Sequence, residues 1–271
     1  MNKVKIIAEI GWNHMGDMAL AEKMIKSAAE NGADYAKFQT WSVKRLKEGE
    51  WDNDGRRQIY ENAELNVDKH KLLISLCGEY GIKFLSSVFS VGDAELLVSL
   101  NVKEVKIPSF ESRNHDLIRY CNEHFEKIFM STGTSTWSEI EFSASLVDKE
   151  KLTLLHCVSA YPCVPKNANL LKIKSLKDAM ISKDVGYSDH IVGVESAKVA
   201  LGCGISVVEK HFTIDKELPG RDNKFAILPY ELKDLKSFID LYYNMYTKHG
   251  DDYLPVETNS RNEYAGRFNR E

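Results

Sequence analysis

The segment Lys5-Ile-Ile-Ala-Glu-Ile10, followed by Ala19–Asn31 and then Tyr35-Ala-Lys-Phe-Gln39, contains one complete strand–helix–strand unit. The first and third stretches are short apolar runs, which are typical of buried strands. The middle stretch places apolar residues at helical spacing and stops at Asn31-Gly32. A unit of this kind is the repeating element of an α/β fold.

The same alternation continues along the chain. Strand-like runs recur at Lys5–Ile10, Tyr35–Gln39, Lys83–Ser87, Glu104–Ile107, Lys127–Ser131, Thr153–Cys157, Val185–Tyr187 and Ser206–Lys210. Amphipathic stretches separate most of these runs, at Ala19–Asn31, Lys69–Tyr80, Ala94–Leu100, Asp116–His124, Trp137–Leu146 and Ser196–Cys203, with a closing helix at Pro229–Tyr246. Eight alternations predict one (β/α)8 TIM-barrel domain over residues 1–250. A doubly wound sheet is the alternative, but its Gly-rich phosphate loops do not occur in the sequence.

Composition narrows the class of protein. The 271 residues are 43% hydrophobic, which is enough for one large core, and the net charge of −4 argues against sequence-independent binding to nucleic acid. No apolar run approaches the length of a membrane span, and the N-terminus does not have the form of a signal peptide. The five cysteines are odd in number and form no Cys-x-x-Cys pair, so we expect reduced thiols in a cytoplasmic protein.

Two polar segments lie outside the alternating pattern. Ser42–Asp68 reads as a long irregular loop after the second strand, able to cover a pocket. Residues 251–271 read as a polar C-terminal tail that extends away from the core.

Ionisable and hydroxyl side chains cluster where the strands end, and barrel enzymes place their sites at that edge. Lys37, Lys106 and Lys210 supply positive charge there. Compact hydroxyl donors come from Ser87, Ser109, Ser131, Thr132 and Ser188. Cations and hydroxyls converging in a partly dry pocket suit a phosphate or carboxylate ligand.

Carboxylates and imidazoles complete the set. Glu9, Glu111 and Glu209 are candidates for proton transfer or for hydrogen bonds to sugar hydroxyls. His190 and His211 end two neighbouring strand-like runs, and imidazoles so placed suit Mn²⁺, Fe²⁺ or Zn²⁺. The residues therefore predict a metal-assisted reaction on an anionic small molecule.

Long motifs, in order, match one known family. They are Ala8-Glu-Ile-Gly-Trp-Asn-His-Met-Gly-Asp17, Gly32-Ala-Asp-Tyr-Ala-Lys-Phe-Gln-Thr40, Lys106-Ile-Pro-Ser109, Ser131-Thr-Gly133, Leu155-His-Cys157 with Tyr161-Pro162, Gly186-Tyr-Ser-Asp-His190 and Val208-Glu-Lys-His-Phe-Thr213. Between residues 4 and 226 the chain resembles the N-acetylneuraminate (sialic acid) synthase family. That family condenses phosphoenolpyruvate with an N-acylated hexose.

The resemblance implies roles for the matched positions. His190 and His211 would bind the metal, usually Mn²⁺, and Lys106 would join Glu9, Glu111 and Glu209 in catalysis. The substrate-binding set would comprise Lys37, Gln39, Ser87, Phe89, Ser109, Ser131, Ser159, Tyr161, Ser188, Lys210 and Asp222. The implied products are phosphate and a 3-deoxy-2-keto sugar acid of the nonulosonic type.

Two departures from the family concern the sugar side of the site. Family members usually carry a C-terminal antifreeze-like domain whose arginine reaches the partner subunit's pocket, whereas this sequence ends at about the linker to that domain. We therefore expect the catalytic barrel without that domain, in a possible homodimer. A separate chain, or Arg221, Arg267 or Arg270, could take over from the missing arginine. Ser159 also stands where the family usually has asparagine.

Two other functions remain open from the residues alone. One is a metal-dependent barrel aldolase or isomerase that does not use phosphoenolpyruvate. The other is a catalytically silent barrel that binds a sugar.

Overall fold

Eight parallel strands form a closed barrel in the computed structural model, which describes residues 3–268 apart from the side chain of Trp51. The strands are β1 Lys5–Gly11, β2 Tyr35–Thr40, β3 Lys83–Val88, β4 Glu104–Ile107, β5 Lys127–Ser131, β6 Leu152–Cys157, β7 Asp184–Asp189 and β8 Val207–His211. Each strand pairs with its neighbours in sequence, and β8 pairs with β1 to close the ring. The predicted single-domain (β/α)8 barrel is confirmed.

Helices surround the barrel and follow the predicted alternation. Their bounds are α1 Met18–Glu30, α2 Arg56–Ala63, α3 Val67–Glu79, α4 Val91–Ser99, α5 His115–His124, α6 Trp137–Ser145, α7 Leu171–Asp178, α8 Glu195–Leu201, α9 Pro229–Met245 and α10 Thr258–Tyr264. Helix α7 was not predicted. The segment predicted as an irregular loop, Ser42–Asp68, contains α2 and two short 3-10 turns, because these pieces pack against the barrel mouth and gain order there. Residues 251–268 are exposed and carry α10, while Arg270 lies outside the described residues.

Side chains fix where two of the helices begin. Asp17 accepts hydrogen bonds from the backbone N–H groups of Ala19 and Leu20 at the start of α1. Thr136 and Glu139 form a reciprocal capping box at the start of α6. Each cap satisfies N–H groups that lack a partner within the helix.

The two-residue period of the strands divides each one into an inward and an outward face. One inward layer is apolar and fills the barrel with Ile7, Tyr35, Leu85, Phe129, Leu155 and Val207. Gly186 also belongs to this interior, because an added Cβ would lie 2.4 Å from a methyl group of Val207. The outward residues pack beneath the helices as the larger core. Toward the carboxyl ends, the next inward positions become polar.

Two further expectations can be compared with the fold. All five cysteines are free thiols. In residues 3–268 no helix has both the length and the apolar character needed to cross a bilayer.

Candidate active site

A cavity of about 660 Å³ opens at the carboxyl ends of the strands, and we call it the main cavity. It brings together most of the predicted site residues: Glu9, Lys37, Gln39, Ser87, Phe89, Lys106, Ser109, Ser131, Ser159, Tyr161, Ser188, His190, Glu209, His211 and Asp222. These side chains come from inward positions of the strands and from the loops that follow them. The location is the one at which barrel enzymes carry out their chemistry.

Two lysines and two glutamates form a buried network on the floor of the main cavity. Lys37 Nζ lies 3.1 Å from Glu9 Oε2 and 3.2 Å from Glu209 Oε1. Lys106 Nζ lies 3.1 Å from the same Glu209 oxygen. All four side chains are at most 6% exposed. Buried charges are stable only when they are paired, and here each lysine has a carboxylate partner.

The two carboxylates of the network differ in acidity. Burial raises the pKa of Glu9, and Lys37 only partly opposes that rise. Burial would also raise the pKa of Glu209, but the charges of Lys106 and Lys37 lower it well below the ordinary value. Burial lowers the pKa of Lys106, and the charge of Glu209 opposes this. Two buried lysines that share the strongly acidic Glu209 would attract an anionic ligand.

Several polar atoms around this floor have donor or acceptor capacity to spare. Glu209 Oε1 accepts hydrogen bonds from Lys106 and from the Ser188 hydroxyl, each at 3.1 Å. Its other oxygen, Oε2, is buried and has no hydrogen-bond partner in the described part of the chain. The hydroxyl oxygen of Ser131 is also buried and also has no hydrogen-bond partner in that part of the chain. Buried polar groups normally have partners, so these two atoms point to a ligand.

A glycine shapes the wall beside these hydroxyls. The backbone N–H of Gly133 donates to Ser109 Oγ at 3.1 Å. An added Cβ at Gly133 would lie 2.3 Å from Ser159 Oγ and 2.6 Å from Ser109 Oγ. Only glycine therefore lets both hydroxyls approach the cavity wall.

The two predicted metal ligands lie side by side, with ring centroids 5.4 Å apart. His190 Nδ1 is 2.9 Å from the carbonyl oxygen of Val158. Because a carbonyl can only accept, Nδ1 carries the proton and Nε2 is left to bind a cation. Burial lowers the pKa of His211 well below its ordinary value, so that imidazole is neutral.

Two neighbouring imidazoles can hold a divalent transition-metal cation. His211 Nδ1 lies 3.7 Å from Asp222 Oδ2, so a carboxylate can orient this ring from behind. Across residues 3–268 no group of three or more His, Cys, Asp or Glu side chains is arranged to hold a metal. Water and substrate oxygens would have to fill the remaining positions, and the metal site stays a prediction.

Three predicted site residues lie elsewhere. Thr132 is buried, and its hydroxyl donates to the carbonyl of Leu155 at 3.2 Å. Lys210 points out of the barrel, where its ammonium is 3.0 Å from Asp189 Oδ2 and also donates to the carbonyl of Ile191. It cannot share the cavity with Glu209 and His211, because neighbours on a strand face opposite ways. Glu111 follows β4 in a 3-10 turn and lines a separate neighbouring cavity.

Sequence reasoning missed other lining residues. Trp12 comes from the loop after β1, and Arg56 and Tyr60 come from α2. Cys157, expected only to be a reduced thiol, lies in the wall with its sulfur 3.9 Å from His190 Nδ1. The period of the strands could have indicated Cys157, since it shares a face with Leu155.

A closed parallel barrel with cationic, acid/base and paired imidazole groups at its carboxyl end defines a TIM-barrel protein with the site layout of a barrel enzyme. Residues 24–250 match the NeuB family, and the chain belongs to that family.

Relatives and solved structures agree with this assignment. The chain is 38% identical over 251 residues to N,N'-diacetyllegionaminic acid synthase of Campylobacter jejuni, covering 87% of this chain and 75% of that protein. It is 32% identical over 269 residues to pseudaminic acid synthase of the same species, covering 94% and 77%. The crystal structure of an N-acetylneuraminic acid (sialic acid) synthetase from Leptospira borgpetersenii superposes with a TM-score of 0.86 at 31% identity, covering all of this chain and 94% of that one.

Proposed function

We propose that this protein condenses phosphoenolpyruvate with an N-acylated aldose, giving phosphate and a 3-deoxy-2-keto sugar acid of the nonulosonic type. One observation carries the proposal: Lys37 and Lys106 are both buried against Glu209, in the cavity that is also lined by the histidine pair and by a Ser131 hydroxyl without a partner in residues 3–268. The relatives named above are synthases of nonulosonic acids, which supports the same reaction class.

The cationic floor suits phosphoenolpyruvate, which carries a carboxylate and a phosphate. Lys37 and Lys106 supply the compensating charge, and the hydroxyls of Ser109 and Ser131 supply donors to its oxygens. Both ammonium groups are already desolvated in the folded chain. An anion therefore gains more from them than it would from solvated lysines.

His190 and His211 would hold the divalent cation at the rim of the same cavity. When bound, that cation supplies Lewis-acid polarisation of an aldehyde carbonyl. Glu9 lines the same cavity and burial raises the pKa of its carboxyl, so we assign it as the acid that would donate a proton to the aldehyde oxygen as negative charge develops there. Gln39 donates a hydrogen bond at 2.8 Å to Glu9 Oε1, which fixes the orientation of that carboxyl.

The proposed reaction balances with one water. Carbon 3 of phosphoenolpyruvate attacks the aldehyde carbon, and the aldehyde oxygen becomes a hydroxyl. Water then adds at carbon 2, and inorganic phosphate leaves as the bond between carbon 2 and the bridging oxygen breaks. Glu209, held ionised by two lysines, stabilises the positive charge that develops at carbon 2.

The test is a product analysis with phosphoenolpyruvate labelled with ¹⁸O at the bridging position. Phosphate should be released only when phosphoenolpyruvate, an N-acylated aldose and Mn²⁺ are all present. The label should appear in the phosphate, and the organic product should have the mass of a three-carbon extension. Absence of release across a panel of N-acylated aldoses, or release without any aldose, would refute the proposal.

A further inference from the structure

Asp189 and Lys210 form a buried ion pair on the outward face of the barrel, next to the two predicted metal ligands. Their side chains are at most 2% exposed, and Lys210 Nζ lies 3.0 Å from Asp189 Oδ2. The two residues are also opposite each other in the pairing of β7 with β8. His190 follows Asp189 in sequence, and His211 follows Lys210. The ion pair and the histidine pair therefore occupy consecutive positions of the same two chain segments.

His190 lies just beyond the point at which β7 pairs with β8. The last residues that pair between these strands are Asp189 and Lys210, and β7 itself ends at Asp189. His211, by contrast, is the last residue of β8, and its carbonyl accepts a hydrogen bond from the backbone N–H of Ile227 at 2.7 Å. Of the two imidazoles, the one on His190 therefore depends more on contacts outside the strand ladder for its position.

The ion pair supplies such contacts through Ile191, the residue after His190. Asp189 Oδ1 accepts a hydrogen bond from the backbone N–H of Ile191 at 2.9 Å. The Lys210 ammonium donates to the backbone carbonyl of Ile191. Both backbone polar groups of Ile191 thus bond to the ion pair. Because Asp189 precedes His190 directly, the chain is held to the ion pair on each side of that histidine.

Stability alone is a weak reason for such an ion pair. Apolar residues of similar volume often replace a buried ion pair without loss of stability. Apolar side chains cannot supply the directed hydrogen bonds to Ile191, or accept the one that the Ser196 hydroxyl of α8 donates to Asp189 Oδ2 at 2.5 Å. The charges therefore fix the course of the chain around His190 as well as the packing of β7 against β8.

We propose that Asp189 and Lys210 are positioning residues, which hold the His190 imidazole at the distance from His211 that a shared divalent cation requires. This inference rests on the proposed function, because it takes the histidine pair as the metal site. Ligand groups have to be held within about 0.5 Å of their working geometry. A small shift in the backbone of His190 would therefore weaken the binding of the cation.

The experiment measures the Kd of Mn²⁺ by isothermal titration calorimetry, without substrates, at a temperature at which circular dichroism shows every variant folded. For Lys210→Met we expect the Kd to rise by about 10–100-fold, the usual effect of losing a group that supports a metal ligand.

A double variant separates positioning from stability. Asp189→Leu combined with Lys210→Met leaves no buried charge without a partner, so it should recover part of the stability that Lys210→Met loses. It should recover none of the affinity for Mn²⁺, because the hydrogen bonds from the ion pair to Ile191 are absent. Recovery of the affinity along with the stability would overturn the positioning role.

The matched control is Thr40→Val. Thr40 ends β2 as Asp189 ends β7, and its buried hydroxyl forms hydrogen bonds with His70 Nε2 at 2.8 Å and with Ser86 Oγ at 2.7 Å. This variant should lose stability but keep the wild-type Kd for Mn²⁺, because β2 carries neither predicted ligand. A rise in Kd equal to that of Lys210→Met would show that any loss of packing weakens the site, and would overturn the proposal.

A second readout needs no metal. NMR of the ¹⁵N-labelled histidine rings should show the proton of His190 fixed on Nδ1, which donates to the carbonyl of Val158 at 2.9 Å, in the wild-type protein and in Thr40→Val. In Lys210→Met we expect that proton to exchange between the two ring nitrogens, because the ring is no longer held against the carbonyl.

The two readouts also separate this inference from the proposed function. If the wild-type protein binds no Mn²⁺, the metal-assisted step of the proposed function fails, and the NMR readout decides the positioning role alone. If the wild-type protein binds Mn²⁺ while Lys210→Met keeps both the Kd and the position of the ring proton, the positioning role is refuted and the proposed function stands.

Discussion

Lys106 and Lys210 are both buried lysines near the carboxyl ends of barrel strands, yet they face opposite sides of the barrel wall. Each is 2% exposed, and each lies about one hydrogen-bond length from a carboxylate: Lys106 is 3.1 Å from Glu209, and Lys210 is 3.0 Å from Asp189. Lys106 lines the main cavity, whereas Lys210 does not. Burial of a charge therefore does not identify a binding site by itself.

The carboxylate partners explain the difference. Asp189 accepts from the Tyr187 hydroxyl at 2.9 Å, the Ser196 hydroxyl at 2.5 Å, the backbone N–H of Ile191 and Lys210. Both of its oxygens are thus satisfied by the protein. Glu209 instead keeps one buried oxygen without a partner among the described residues. The inward face has spare capacity for a ligand, and the outward face holds β7 and β8 together.

The largest effect should come from removing the inward charge. We expect Lys106→Met to lower kcat/KM by about 1,000-fold, because a desolvated cation that meets the substrate anion is lost. Steady-state phosphate release measures this. Lys127→Met is the control. Lys127 is the first residue of β5, and its ammonium lies over the Phe129 ring, away from the main cavity. A loss of less than tenfold in the kcat/KM of Lys106→Met would show that Lys106 does not bind the substrate anion.

Removing the outward charge should affect stability instead. Lys210→Met leaves Asp189 buried without its cation, which costs about 3–5 kcal/mol in the free energy of unfolding. Urea denaturation measures this, and the double variant Lys210→Met, Asp189→Asn should recover part of the loss. If Lys210→Met kept its stability but lost activity, Lys210 would belong to the active site after all.

The pH dependence of stability should come from buried histidines outside the main cavity. Burial lowers the pKa of His14 to about 4, and it lowers the pKa values of His70 and His156 as well. As the pH falls below 6.5, these histidines take up protons in the unfolded chain before they do so in the folded chain. Their contribution to the free energy of unfolding is therefore fully present above pH 6.5 and is lost as the pH approaches 4. His14 alone contributes on the order of 3 kcal/mol. His14→Asn should flatten urea-denaturation stabilities between pH 7 and 4.5, and an unchanged slope would contradict this assignment.

The smallest effect should come from Glu111. Its carboxylate lies outside the main cavity and accepts a hydrogen bond from Asn114, so Glu111→Gln should change kcat by less than about threefold. Phosphate release at saturating substrate measures kcat directly. A hundredfold fall would restore Glu111 as an acid/base group.

The strand period accounts for what the sequence could predict. Glu9, Lys37 and His211 were found because each lies in or directly after an apolar run, near its carboxyl end, and the runs alternate with helices. The same period could have excluded Lys210 from the site. Glu209 and His211, on either side of it, both face inward, so Lys210 must face outward. Trp12 and Tyr60 carry no such signal. Their position depends on how α2 packs over the barrel mouth, which is a tertiary effect that no local pattern in Ser42–Asp68 encodes.

Calorimetric binding of phosphoenolpyruvate to the wild-type protein, Lys106→Met and Lys210→Met tests the central claim most directly. It needs neither metal nor aldose, and each variant is measured at a temperature at which circular dichroism shows it folded. We expect the Kd to rise at least about 100-fold in Lys106→Met and to stay within about threefold in Lys210→Met. Equal weakening in both variants, or weakening only in Lys210→Met, would contradict the assignment of the anion site to the inward face.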